Sequence, residues 1–228
     1  MTNSSIFVVI PVYNEARILR ETVTPLFEAG YTVVVVDDGS TDTSAQSLDG
    51  LAVTVLRHPV NLGQGAALET GMAYARQNGA EAVVHFDADG QHSWEQIPNF
   101  VAPIFRGEAD VVLGSRFLRK EDAARTPAFR RVVLRAGIVV SGLFTGVWLT
   151  DTHNGFRALS RKALNAVQLR ENGFAHATEI LALIRRNKLR YVEMPTAISY
   201  SAYSRTKGQS FWNSFNIVID LLMEKLFR

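Results

Sequence analysis

The chain has 228 residues, 47% of them hydrophobic and 20% charged, which is enough apolar material for a buried core and excludes a disordered chain. It contains no cysteine, which excludes disulfides, zinc–thiolate centres and cysteine nucleophiles and fits a reducing compartment. The formal net charge of +2 makes no demand for a nucleic-acid partner.

Near the N-terminus the apolar run Ile6 to Ile10 is too short for the core of a signal peptide. The longest apolar run, Ala136 to Leu149, is about 14 residues, against roughly 20 needed to cross a bilayer. The expectation is a cytoplasmic protein with no transmembrane span.

Ile6 to Ile10 reads as a strand covered on both faces. Asn14 offers an N-cap for a helix carrying Ile18, Leu19, Val23, Leu26 and Phe27 at helical spacing, shortened or kinked by Pro25 and ended by Gly30. Strands come next at Val33 to Val36 and Val53 to Leu56, then a helix from Gln64 to Gln77 and a strand from Ala82 to Phe86. Trp94 to Phe105 reads as a helix and Asp110 to Leu113 as a strand. Beyond a polar segment from Asp151 to Arg157 come a helix near Thr178 to Arg186, a strand from Leu189 to Met194, and an apolar helix from Phe211 to Phe227. Strands separated by helices of this length predict an α/β domain with a mostly parallel sheet flanked by helices.

Ligands of such sheets bind beyond the carboxyl ends of the strands. Three polar clusters stand there: Pro11 to Glu15, Asp37 to Asp42, and Asp87-Ala-Asp-Gly-Gln91. Asp87 and Asp89 together suit a hard divalent cation such as Mg²⁺ or Mn²⁺, with the Gln91 amide oxygen as a further ligand, although a solvated turn explains the same letters. Asp38 is placed to accept from a nucleobase or a ribose hydroxyl, while Ser40, Thr41 or Asp42 could cap the next helix. Asn61 to Gly65 opens a helix, where a glycine turn is the plainer role and anion binding the alternative.

From Arg116 to Arg135 the local net charge is +5, either a solvated face or a phosphate site, since Arg binds phosphate bidentately. Arg205 and Lys207 form a second basic loop that could close on the same ligand. The five histidines show no zinc spacing, and His85 reads as a core residue of its strand.

Together, Val9-Ile-Pro-Val-Tyr-Asn-Glu15, Val36-Asp-Asp-Gly-Ser-Thr-Asp42, Asn61-Leu-Gly-Gln-Gly65, Asp87-Ala-Asp-Gly-Gln91 and Gly114-Ser-Arg116 resemble family 2 glycosyltransferases with the GT-A fold. Asp151-Thr-His-Asn-Gly-Phe-Arg157 and the Arg205 to Ser210 loop extend the likeness to the dolichol-phosphate mannosyltransferases and related polyprenyl-phosphate enzymes. The resemblance implies a GT-A domain over residues 1–210, with residues 211–228 an amphipathic or membrane-associating helix.

It implies that Pro11, Tyr13, Glu15, Asp38 and Asp87 bind the donor, that Asp87, Asp89 and Gln91 hold Mg²⁺ or Mn²⁺, and that Asp87, Asp89 and Arg116 serve the reaction. Arg116, Arg130 or Arg131, and Arg205 would hold an acceptor phosphate. The implied reaction is inverting transfer of mannose or glucose from GDP-mannose or UDP-glucose to a polyprenyl or dolichyl phosphate, at the cytoplasmic face of a membrane reached by peripheral contact or through a membrane partner. A saccharide or small-molecule hydroxyl as acceptor, or a non-catalytic nucleotide-sugar-binding subunit, are the alternatives. Nucleotidyl transfer fits less well, because Pro11 to Glu15 is not a Gly-rich, Lys-containing loop.

Overall fold

Seven strands form one sheet, and their runs of β-branched residues explain why. The structure is a computed structural model and describes residues 3–118, 142, 146–152 and 154–197. The strands are β1 (Ile6–Val12), β2 (Thr32–Asp37), β3 (Thr54–Arg57), β4 (Ala82–His85), β5 (Val111–Ser115), β6 (Arg157–Ser160) and β7 (Tyr191–Pro195), in the spatial order β3-β2-β1-β4-β6-β5-β7. All neighbours run parallel except β6, which is antiparallel to both β4 and β5.

The central strands are buried on both faces, so they read as continuous apolar sequence rather than an alternation. On one face α1 (Leu19–Glu28) and α3 (Ile97–Phe105) pack over Val8, Ile10, Val84 and Phe156. On the other, α2 (Gln64–Gln77), α4 (Arg161–Ala166) and α5 (His176–Arg186) cover Val9, Val34, Val83 and Leu159. Gly71 lets α2 lie directly on β1, since a Cβ there would stand 2.3 Å from Val9 Cγ1.

Three local expectations are corrected. Asn14 is no N-cap: α1 begins at Leu19 behind Ile18, with no side-chain cap. Asn14 instead takes a left-handed turn, φ 57°, and its Oδ1 accepts from the amides of Thr41 and Asp42. The Trp94 to Phe105 helix is a short 3₁₀ turn, Trp94–Gln96, followed by α3. The polar segment Asp151 to Arg157 runs into a strand and a helix, β6 and α4, that the sequence reading did not separate. Pro25 is tolerated near the end of α1, and Gly30, at φ 82°, comes after it as expected.

Among the described residues no helix is long and apolar enough to cross a membrane. The proposed helix from Phe211 to Phe227, and with it the 211–228 segment, lies outside the described residues.

Candidate active site

A cavity of about 520 Å³ opens at the carboxyl ends of β1, β2 and β4. Pro11, Tyr13, Glu15, Asp38, Asp87 and Asp89 all line it, so the three polar clusters do converge. The convergence follows from the parallel order of β2, β1 and β4, whose loops leave the sheet at one edge.

The first two loops are stitched together. The Asn14 amide donates to Ser40 Oγ at 2.9 Å and the Glu15 amide to Ser44 Oγ at 2.8 Å. Asp42 caps no helix: its Oδ1 accepts from the Ser44 amide at 2.9 Å within the loop, and the next helical turn, Gln46–Leu48, has no side-chain cap. Asp38 is buried, and its carboxylate is already engaged: Oδ1 pairs with His58 Nδ1 at 2.7 Å and accepts from the Leu62 amide, while Oδ2 accepts from the Gly63 amide at 2.8 Å. It therefore shapes the wall by pinning the 58–63 loop.

The glycine turn before α2 works by close approach. A Cβ on Gly63 would stand 2.3 Å from the Asn172 carbonyl oxygen, and one on Gly65 would stand 2.0 Å from the Glu171 carbonyl oxygen. The Gly65 amide donates to Asn172 O at 2.7 Å, so this helix end is capped by protein. The glycine-turn reading holds here, and the anion-binding alternative does not.

Asp87 leaves β4 into the cavity and is held from two sides, by Gln64 Nε2 at 3.3 Å and by His92 Nε2 at 3.3 Å. Gly155 makes room, since a Cβ there would fall 2.3 Å from Asp87 Oδ2. Burial would raise the Asp87 carboxyl, but the His92 hydrogen bond and charge, with Arg157 and His176, keep it below the ordinary carboxylate range. Asp89 differs: burial and the charge of Asp87, with Glu15 adding, push it up to about 6 against the hydrogen bond from the Gln91 amide and the charge of His92.

A surplus of negative charge at Asp89 is what a divalent cation would relieve, so the pair fits one. No group of three His, Cys, Asp or Glu side chains able to hold a metal ion is found among the described residues, so other oxygens, those of a diphosphate among them, must complete a coordination shell. Gln91 is half-buried and touches Asp89 through its backbone; it is not among the residues lining the cavity.

Arg116 is directed elsewhere. Its Nε and Nη2 donate to Asp151 Oδ2 and Oδ1 at 2.6 and 2.8 Å, and it too is not among the cavity-lining residues. Glu193 of β7 holds the partner segment, accepting from the Thr150 amide and hydroxyl at 2.8 Å. Arg130, Arg131, Arg205 and Lys207 lie outside the described residues.

Four cavity or near-cavity residues had no role in the sequence reading: Gln64, His92, Arg157 and His176. His92 stands next to Gln91, and Arg157 closes the quoted Asp151 motif, so position in those motifs was the available signal. His176 carried none.

With that geometry in view, residues 7–168 match the family model described as glycosyl transferase family 2, and the chain belongs to that family. It is 32% identical over 230 residues to the uncharacterized protein MJ1222 of Methanocaldococcus jannaschii, covering all of this chain and 95% of that one. It is 30% identical over 246 residues to the UDP-N-acetylglucosamine–dolichyl-phosphate N-acetylglucosaminyltransferase of Methanococcus voltae, covering 99% and 98% of the two chains. Among solved structures, glucosyl-3-phosphoglycerate synthase from Mycobacterium tuberculosis, in complex with Mn²⁺, UDP and glucosyl-3-phosphoglycerate, superposes with a TM-score of 0.62 at 21% identity, over 96% of this chain and 78% of that one. The chain is thus a nucleotide-sugar-dependent glycosyltransferase of family 2, similar over nearly its full length to an enzyme named for a dolichyl-phosphate acceptor.

Proposed function

We propose that this protein transfers a hexose-class sugar from a nucleotide diphosphate donor to a polyprenyl phosphate, with inversion at the anomeric carbon. The observation that carries the reading is the convergence of Pro11, Tyr13, Asp38, Asp87 and Asp89 on one cavity at the strand ends. The lipid acceptor is supported by the dolichyl-phosphate enzyme that the chain resembles over nearly its full length. Of the two donors the sequence leaves open, GDP-mannose and UDP-glucose, a uridine donor is favoured by the printed name of the Methanococcus voltae relative, which is that of a UDP-sugar enzyme.

In this account Pro11 and Tyr13 flank the nucleoside and Asp38 keeps the 58–63 loop against it. Asp87 and Asp89, with Gln91 as a further candidate, would hold Mg²⁺ or Mn²⁺; the ion supplies positive charge to the departing diphosphate. Gln64 and His92 fix the Asp87 carboxylate so that little reorganisation accompanies binding.

An oxygen of the acceptor phosphate forms the new bond to the anomeric carbon as the bond to the diphosphate oxygen breaks, and the electron pair leaves with the nucleoside diphosphate. A phosphate arrives already as an anion, so no proton need be removed. Arg116, Arg130 or Arg131, and Arg205 are the proposed acceptor-phosphate contacts, Arg116 after exchanging or sharing its bond to Asp151. Membrane contact would be peripheral, through residues 211–228 or a partner subunit.

The test is incubation with Mn²⁺ and UDP-N-acetylglucosamine, UDP-glucose or GDP-mannose, with and without polyprenyl phosphate. A sugar-linked lipid is the expected product. Product only with a saccharide acceptor would refute the lipid reading, and no turnover with any donor would favour the partner-subunit reading.

A further inference from the structure

Arg157 opens β6 and its side chain belongs to the cavity wall, where the residue is only 4% exposed. Among the described residues its guanidinium donates no hydrogen bond, and Nη1 is fully buried without a partner. A buried guanidinium without acceptors is costly, and burial pulls this one down to about 10 despite the charges of Asp87 and Asp151. Neither carboxylate is within hydrogen-bonding reach, and Asp151 is bound bidentately by Arg116.

Its other neighbours supply no anion. His85 lies directly across the β4–β6 ladder and His176 stands at the start of α5. Burial, with the Arg157 charge, holds these imidazoles neutral, at about 3 and about 4. His176 also lines the cavity, with its Nδ1 2.8 Å from the Gly173 carbonyl oxygen. The Arg157 side chain thus lines that end of the cavity with no protein acceptor on its guanidinium, Nη1 itself being closed off from solvent.

The sheet order says which part of a ligand arrives there. Moving along the strand ends one meets β2 and β1, then β4, then β6. Asp38 and Tyr13 come after β2 and β1, the Asp87–Asp89 pair after β4, and Arg157 lies on β6. A nucleotide sugar laid across this edge, nucleoside over β1 and β2 and diphosphate at Asp87 and Asp89, brings its sugar to β6.

We propose that Arg157, with His176 beside it, binds the sugar of the donor through its hydroxyl or substituent oxygens and sets the donor-sugar preference. This rests on the nucleotide-sugar reading above. Planar guanidinium forks suit paired oxygen acceptors, and a rigidly placed buried donor discriminates strongly against a sugar that leaves it unpaired.

The test compares two ligands on one protein. Nucleoside diphosphate and the matching nucleotide sugar are titrated calorimetrically in the presence of Mn²⁺, against wild type, Arg157→Lys and His176→Asn. Arg157→Lys keeps the charge beside Asp87 but loses the fork. It should bind the nucleoside diphosphate within about 2-fold of wild type and the nucleotide sugar about 10-fold or more weaker, the scale of a hydrogen bond to a charged group. His176→Asn, which retains an amide toward Gly173, should show a smaller loss confined to the nucleotide sugar and a changed ranking among UDP-N-acetylglucosamine, UDP-glucose and GDP-mannose. It also carries the test if Arg157→Lys melts early.

Equal weakening of both ligands would overturn the proposal, making Arg157 a counter-charge to Asp87 or a diphosphate contact; so would no change in either. Wild type that gains nothing from the sugar of any donor, while binding nucleoside diphosphate, would also overturn it and leave the nucleotide site standing. Wild type that binds neither ligand would remove the underlying reading first.

Discussion

Two residues apart on the loop after β4, Asp87 and Asp89 occupy opposite electrostatic situations: His92 and Arg157 keep one carboxylate ionised, while the other is pushed up by burial and by its neighbours Asp87 and Glu15. In the proposed account a divalent cation supplies the balancing positive charge. Asp89→Asn preserves size and can still accept from the Gln91 amide, so metal-dependent binding of nucleoside diphosphate should fall about 10-fold or more while melting temperature holds; unchanged Mn²⁺ affinity would remove Asp89 from the metal site. Arg116 makes a different prediction. Its Asp151 partner is 1% exposed at the side chain, so Arg116→Ala removes two charge-assisted hydrogen bonds from a buried carboxylate, leaves it the amide of residue 116, and should cost about 2–4 kcal/mol in urea unfolding. A loss under about 1 kcal/mol would show the pair to be as weak as a surface ion pair.

Elements meet at a few tight or charged points, and those points govern stability. Gly65 lets the start of α2 lie on the segment before α5, so Gly65→Ala should cost about 1–3 kcal/mol and weaken donor binding, both measurable on one sample by melting and calorimetry. Asp110, just before β5, joins β7 and α4: its carboxylate accepts from the Arg190 amide at 2.8 Å and from Lys162 Nζ at 3.1 Å. Burial acts to raise Asp110, but the Arg190 hydrogen bonds and Lys162 lower it from 3.8 to about 2. A depressed carboxyl stabilises the fold above its unfolded value, and that stability is lost as pH falls from about 4 through about 2. Unfolding free energy should therefore drop over that window in wild type and less steeply in Asp110→Asn; identical slopes would contradict the assignment. The valine and isoleucine runs made β1, β2, β4 and β5 legible, because burial on both faces leaves uninterrupted apolar letters. β6 was hidden because its first residue is a buried arginine and it lasts four residues, so the local letters look polar. Asn14 was misread because a residue that suits a helix cap also suits a left-handed turn, and only the tertiary contact with Thr41 and Asp42 decides between them.

Across the whole molecule, the parallel order of β2, β1 and β4 gathers the acidic loops, while the reversed β6 carries Arg157 to the far end of the same cavity. The first half of that arrangement could be read from strand-end motifs; the second could not, since His85 and Arg157 meet only through an antiparallel pairing of strands far apart in sequence. The same topology separates the roles proposed for the donor: nucleoside, diphosphate and sugar along the strand ends. The most direct test is transfer of labelled sugar from a nucleotide sugar into organic-extractable polyprenyl phosphate in the presence of Mn²⁺, wild type against Asp89→Asn. Label should enter the lipid with wild type, with inverted anomeric configuration, and fall to background with the variant. Label that enters equally with both proteins, or appears only on a saccharide hydroxyl, would contradict the account.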